Sequence, residues 1–149
     1  MRLEFSGAPV IAAPRERVWQ RLVDPRFVAG SAFGVESVEV LDAAHFRVTS
    51  ALGVGPVKAT LTLDGELSDL VPSSSASMRL RGSGAGSLID VLTSIAIQDS
   101  GLGAVRLVWS ATTELSGMIT KAGPRLIEGV ARKLTEQFWT DFARRVEEK

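Results

Sequence analysis

Residues Gly123 to Val146 read GPRLIEGVARKLTEQFWTDFARRV, and their spacing decides the fold. Leu126, Val130, Leu134, Phe138, Phe142 and Val146 recur every four positions, with Ile127 and Ala131 widening the stripe. Arg125, Glu128, Arg132, Lys133, Glu136, Asp141, Arg144 and Arg145 fill the opposite side. That pattern predicts a helix with one buried face. Extended back to Ile119, such a helix is ~40 Å long at about 1.5 Å per residue. A compact domain of this length has a radius of gyration of ~15 Å, so the helix crosses the whole molecule. Only a broad curved sheet can receive so long a stripe.

The preceding residues supply that sheet. Leu3, Phe5, Val10 and Ile11 mark a first strand. Ala13-Pro14-Arg15-Glu16-Arg17-Val18-Trp19 reads as a helix start with proline in its first turn, and Asp24-Pro25 closes that helix and opens a short second one. From Val35 the period becomes two. Val38 and Val40, then Phe46, Val48, Ser50 and Leu52, form the apolar sides of two strands. Val57, Ala59, Leu61, Leu63, Gly65 and Leu67 alternate with polar residues in the clearest strand, which has one wet face. Ala76, Met78 and Leu80 follow in another. A strand-like run leads to Gln98, and Leu107, Trp109, Ala111, Thr113 and Leu115 share a face of the last. The predicted order is one strand, two short helices, six strands and one long helix. It is an α+β chain forming a single domain over residues 1–149.

Composition narrows the function. Seventeen basic residues balance seventeen acidic ones, leaving no charge excess for nucleic acid. Cysteine is absent, which excludes disulfides, thiolate metal ligands and cysteine nucleophiles. No segment approaches the ~18 apolar residues of a membrane span, and the N-terminus lacks a signal-peptide pattern. A cytoplasmic protein is expected.

Few residues invite catalytic chemistry. His45, the single histidine, lies on the polar parity of its strand without a nucleophile partner, so a solvent-facing role is expected. With no second histidine, no metal site and no cofactor are expected. Asp64 and Glu66 share a strand face, which reads as solvated surface. Asp90, set among Leu88, Ile89, Val91 and Leu92, is expected on the outward face of an edge hairpin. Gly82-Ser83-Gly84-Ala85-Gly86 has no helix after it to complete a phosphate loop, so strand bending is the better account.

The order of elements and several local motifs resemble the CoxG family, the carbon monoxide dehydrogenase G-subunit proteins, within the START/Bet v 1-like (SRPBCC) superfamily. The matching segments are Ala13-Pro14-Arg15-Glu16-Arg17-Val18-Trp19, Asp24-Pro25, Gly55-Pro56-Val57-Lys58, Glu66-Leu67-Ser68-Asp69-Leu70 and Arg125-Leu126-Ile127-Glu128-Gly129-Val130-Ala131-Arg132-Lys133-Leu134. The last is the most specific. The resemblance implies a helix-grip fold, a seven-stranded antiparallel sheet curved around the C-terminal helix and enclosing an apolar cavity. It implies a small hydrophobic ligand, lipid-like or quinone-like, and an accessory role beside a molybdenum-containing carbon monoxide dehydrogenase-type enzyme. The alternative is assembly or membrane recruitment of that enzyme, with a peripheral contact at the inner membrane. It carries no catalytic residues to this chain.

On the inward parities, Phe46, Ser50, Met78, Trp109, Ala111 and Thr113 are expected to line the cavity, with Leu126, Val130, Leu134 and Phe138 from the helix. Phe33 is placed at its mouth. Ser50 and Thr113 would orient a carbonyl or hydroxyl, and small residues (Ala59, Gly65, Ala76, Gly82, Ala111) would leave volume. A second expectation is docking through Leu88–Leu92 and the cationic Arg132 and Lys133.

Overall fold

The computed structural model describes residues 1–32, 34–54 and 57–148. Phe33 lies outside the described residues, as do Gly55 and Pro56 of the resemblance motif and the side chains of Leu52, Val54, Val57 and Ala59.

The chain runs β1 (Arg2–Gly7), β2 (Val10–Ile11), α1 (Arg15–Leu22), α2 (Pro25–Ala29), β3 (Val35–Val40), β4 (His45–Val54), β5 (Val57–Val71), β6 (Ser75–Gly84), β7 (Ser87–Asp99), β8 (Val105–Gly117), a 3-10 turn (Met118–Ala122) and α3 (Pro124–Glu147). The sheet is antiparallel in the order β1-β8-β7-β6-β5-β4-β3, with β2 also pairing β8. β1 and β2 are therefore one strand line broken at Ala8-Pro9, and the sheet has seven strand positions. Irregular pairing between Ser68 and Val71 and between Val35 and Ser37 adds the local twist that bulges bring.

Asp24 accepts backbone N–H bonds from Arg26 and Phe27 and so caps α2, with Pro25 in its first turn. Arg15 fastens α1 to the sheet. One guanidinium nitrogen reaches the Ser73 and Ile97 carbonyls at 2.6 and 3.0 Å, and another reaches Asp99 at 2.8 Å. Gly123, at φ 95°, precedes Pro124 at the start of α3. This is the true helix start, since a proline N1 position needs no N–H donor. Residues 118–122 are a separate turn rather than the helix continuation expected from Ile119.

The face that α3 buries also differs from the expected stripe. A strict four-residue repeat drifts about 40° per step around a helix of 3.6 residues per turn, or about 200° from Leu126 to Val146. Leu126 accordingly rotates out and is 41 % exposed, while Ile127, Trp139, Phe142, Ala143 and Val146 are buried.

Two of the glycines expected to leave volume do not. A Cβ at Gly65 would lie 2.2 Å from the Phe46 ring, and one at Gly82 would lie 2.4 Å from a Leu63 methyl and 2.2 Å from the Thr62 carbonyl. Phe46 and Leu63 already fill that space. The β6–β7 connection closes through Ala85 and Gly86, at φ 50° and 76°, between the paired Gly84 and Ser87. Positive φ at both central residues makes a tight two-residue hairpin turn, not an anion loop.

The outer face is a lattice of charges. Arg2, Glu114, Asp90, Arg81, Asp64, Arg47 and Glu39 lie side by side across all seven strand positions. Asp90 takes a two-pronged bond from Arg79 at 3.1 and 2.8 Å, with Arg81 at 3.6 Å. The Arg79 bond first, then the charges of Arg79 and Arg81, hold its carboxyl below the usual range against the opposing effect of burial. β7 is an interior strand, so Asp90 faces outward as expected but not from a sheet edge.

His45 stands on this outer face, exposed, with Nδ1 2.8 Å from Asp42 and Nε2 3.2 Å from Glu66. The Asp42 bond first, then the Glu66 bond, raises its pKa above the ordinary 6.5. A raised folded-state pKa gives stability that is complete below the unfolded value and fades as pH rises through the folded one. A proton NMR titration of His45 is expected to give a midpoint above 6.5, and Asp42→Asn should lower it. A wild-type midpoint at or below that value would contradict the paired geometry.

Candidate interior site

The helix is pinned to the sheet at two places. Near its C-terminal half, Trp139 stacks on Trp109 with centroids 5.8 Å apart and planes 20° apart. Phe138 and Phe142 meet the Trp139 ring edge-on at 4.8 and 5.6 Å. The Trp109 indole lies directly over Gly7, where a Cβ would come within 2.8 Å. Near the N-terminal end, Ile127 forms a separate cluster with Leu115 and Ile119, against which Leu3, Ile89, Ala122 and Val130 pack.

The two anchors have matching spans. Positions 127 to 139 cover about 18 Å of helix, and positions 109 to 115 cover about 20 Å of strand. α3 therefore runs along β8 in the opposite direction. Between the anchors β8 offers only Ala111 and Thr113, both buried. α3 offers Ala131, Leu134 and Thr135, all half-buried. Val130 packs on the lower cluster and Phe138 on the upper one, whereas Leu134, between them, packs on neither among the described residues. Phe5 and Leu3 of β1, the register partners of Ala111 and Thr113, flank this stretch and pack on the upper and lower cluster respectively.

Of the expected lining residues, Ala111, Thr113, Leu134 and Val130 occupy the middle stretches of β8 and α3, Ala111 as a member of the upper cluster and Val130 packed on the lower one. Trp109, Phe138, Phe46 and Met78 belong to or pack on the upper cluster. Leu126 stands outside. Ser50 is buried on β4, several strands away from β8, beneath the α2–β3 connection, where the Gly34 carbonyl accepts the Ala51 N–H at 2.8 Å. Ser50 and Thr113 thus occupy opposite flanks of the sheet. Thr93, which no sequence motif marks, is buried on β7 opposite Ala111. Trp139 falls off the four-residue repeat, so the repeat does not find it.

Among the described residues, the inward side chains of this stretch of β6, β7 and β8 carry no ionisable group. The inward neighbours on β7 and β6 are Val91, Leu80 and Met78. The Arg132 guanidinium sits 5.8 Å from the Phe5 ring, at the β1 margin, and bonds Glu128 at 2.8 Å. Among the described residues no group of three His, Asp or Glu side chains is placed to hold a metal ion, and no helix is long and apolar enough to cross a membrane.

A sheet gripping one long helix, with two short helices closing an end, is the helix-grip fold of the Bet v 1-like proteins. Solved structures agree. A conserved protein from Geobacillus kaustophilus superposes with TM-score 0.86 at 21% identity, covering 97% of this chain and 95% of that one. The Zhui aromatase/cyclase from Streptomyces sp. R1128 gives 0.71 at 15% identity, covering 99% and 94%. Ara h 8.0201 gives 0.66 at 12% identity, with both chains fully covered. At these identities the likeness concerns the fold. Residues 7–147 match the family of the carbon monoxide dehydrogenase G-subunit (CoxG), and the chain belongs to that family. No curated protein matches it in sequence.

Proposed function

We propose that this chain is a non-enzymatic binding protein that holds a small hydrophobic molecule, lipid-like or quinone-like, between β8 and α3. In the cytoplasm it would serve a molybdenum-containing carbon monoxide dehydrogenase-type enzyme as an accessory. The observation that carries the reading is Leu134, half-buried between the two anchors of α3 yet packed on neither cluster among the described residues. Apolar ligand surface buried there would contribute roughly 25 cal/mol per Å². The family membership supports the accessory role, and the uncharged walls support an apolar ligand.

The test is organic extraction of the purified protein followed by mass spectrometry, beside the Leu134→Trp and Ala111→Phe variants. A discrete apolar compound is expected in the wild type and should be lost from both folded variants. An indole at position 134 or a phenyl ring at 111 would occupy the space it needs. A compound retained by both folded variants would remove the ligand from this site.

A second reading is docking onto the dehydrogenase or a membrane surface. Leu88 and Leu92, 58 % and 45 % exposed on the outer face of β7, favour it, together with the exposed Lys133. Partner capture that survives Leu134→Trp but fails in a Leu88→Ser/Leu92→Ser double variant would support this role.

A further inference from the structure

We infer that the molecule taken up between β8 and α3 carries an uncharged hydrogen-bonding group, a carbonyl or hydroxyl, held by Thr93 and Thr113, and no ionised group near it. This deepens the ligand-site reading above and rests on it.

Thr93 and Thr113 are 4 % and 7 % exposed. Thr93 is paired with Ala111, and Thr113 lies two residues further along β8, opposite Val91. The two side chains are therefore diagonal neighbours on the inner face, about 7–8 Å apart or less, in the stretch where the clusters fail to join. Buried hydroxyls normally find partners, and others in this chain do. Ser87 Oγ accepts the Ile119 N–H at 2.9 Å, Ser31 Oγ accepts from Arg145 at 2.6 Å, and Thr135 donates to the Ala131 carbonyl at 2.7 Å. Among the described residues the Thr93 and Thr113 hydroxyls bond no protein group, and neither is a sealed atom, since the one enclosed side-chain polar atom left without a partner is Arg17 Nε. The pair, reachable and without a protein partner, stands where the proposed ligand would lie.

Each threonine hydroxyl can donate one hydrogen bond and accept others, so a carbonyl or an alcohol suits the pair equally. A carboxylate does not suit it. The register neighbours of the pair and of Ala111 are Val91, Met78, Leu3 and Phe5, none of them charged, and the nearest cation, Arg132 over the Phe5 ring, is already engaged by Glu128. An ionised head drawn in here would lose its hydration without a counter-charge.

The probes are undecan-2-one, decan-1-ol and decanoate at pH 8, each displacing the neutral dye N-phenyl-1-naphthylamine from the full chain. The ketone and alcohol are expected to bind at least about tenfold more tightly than decanoate, given the cost of burying an unpaired carboxylate. Thr93→Val/Thr113→Val keeps the side-chain shape, and should weaken ketone binding roughly five- to tenfold, the worth of one hydrogen bond, without changing dye affinity. Decanoate binding as tightly as the ketone would overturn the inference, and this comparison needs only the wild type. Unchanged ketone affinity in the folded double variant would overturn it too. No dye uptake and no probe binding by the wild type would instead reject the interior ligand site itself, and this inference with it.

Discussion

Trp139→Ala is expected to lower the unfolding free energy by about 3–5 kcal/mol, the range for removing a fully packed aromatic ring. Trp139 is 3 % exposed and touches three other rings. It stacks on Trp109 and receives the edges of Phe138 and Phe142. Such ring pairs add about 0.5–1.5 kcal/mol each beyond the area they bury. The contact also fixes where the helix lies along β8, so its loss frees α3 as well as opening a cavity. For a chain of this size, about 3 kcal/mol corresponds to a drop in melting temperature on the order of 10 °C. Urea unfolding followed by far-UV circular dichroism would measure it. Leu134→Ala is the internal contrast. Leu134 packs on neither cluster, so its truncation should cost about 1 kcal/mol or less, below the range for buried leucine. Equal losses at the two positions would mean that the helix is packed uniformly along its length and that the clusters are in fact joined.

The sheet is legible in the sequence wherever polar and apolar residues alternate cleanly. In β5, Leu61, Gly65 and Leu67 are buried while Thr60, Thr62, Asp64 and Glu66 are exposed, as the period of two requires. β8 reads as plainly from Leu107 to Leu115. The same rule fails in β7, where Leu88, Ile89, Val91 and Leu92 put apolar residues on both faces. Without clean alternation, the inward direction of Thr93 can be read only from its pairing with Ala111. The glycines mislead for a related reason. A missing side chain signals volume only if no neighbour takes it, and the Phe46 ring over Gly65 comes from the adjacent strand through a register that composition does not reveal. In α3 the period is correct and the phase is not. Repeats of four identify a helix but drift around it, so the buried Trp139 and the exposed Leu126 exchange roles.

Arg145→Leu is expected to cost about 2–4 kcal/mol, from two hydrogen bonds to a charged group and a stacked cation. One guanidinium nitrogen donates to the Phe27 carbonyl at 2.7 Å and to Ser31 Oγ at 2.6 Å. The guanidinium carbon also lies 4.1 Å from the Phe27 ring centroid, and that ring meets Phe142 of α3 edge-on. One side chain thus ties the end of the long helix to α2 and to the connection leading into β3. Gly30 permits the approach, since a Cβ there would lie 3.0 Å from the guanidinium. Leucine keeps some apolar contact with Phe27 but leaves the Phe27 carbonyl and the buried Ser31 hydroxyl without their donor. Arg145→Lys should recover only part of the loss, because an ammonium lacks the planar fork and stacks less well. Amide hydrogen exchange gives the readout that separates a local tie from general weakening. Amides of residues 28–32 should lose protection in Arg145→Leu before those of β7 and β8 do. The same connection covers Ser50, through the bond between Gly34 and Ala51, so its loosening would open the β4 flank of the grip while leaving the Trp109–Trp139 anchor closed. A uniform loss of protection, with β8 exchanging as early as residues 28–32, would assign Arg145 to the stability of the whole core rather than to this flank.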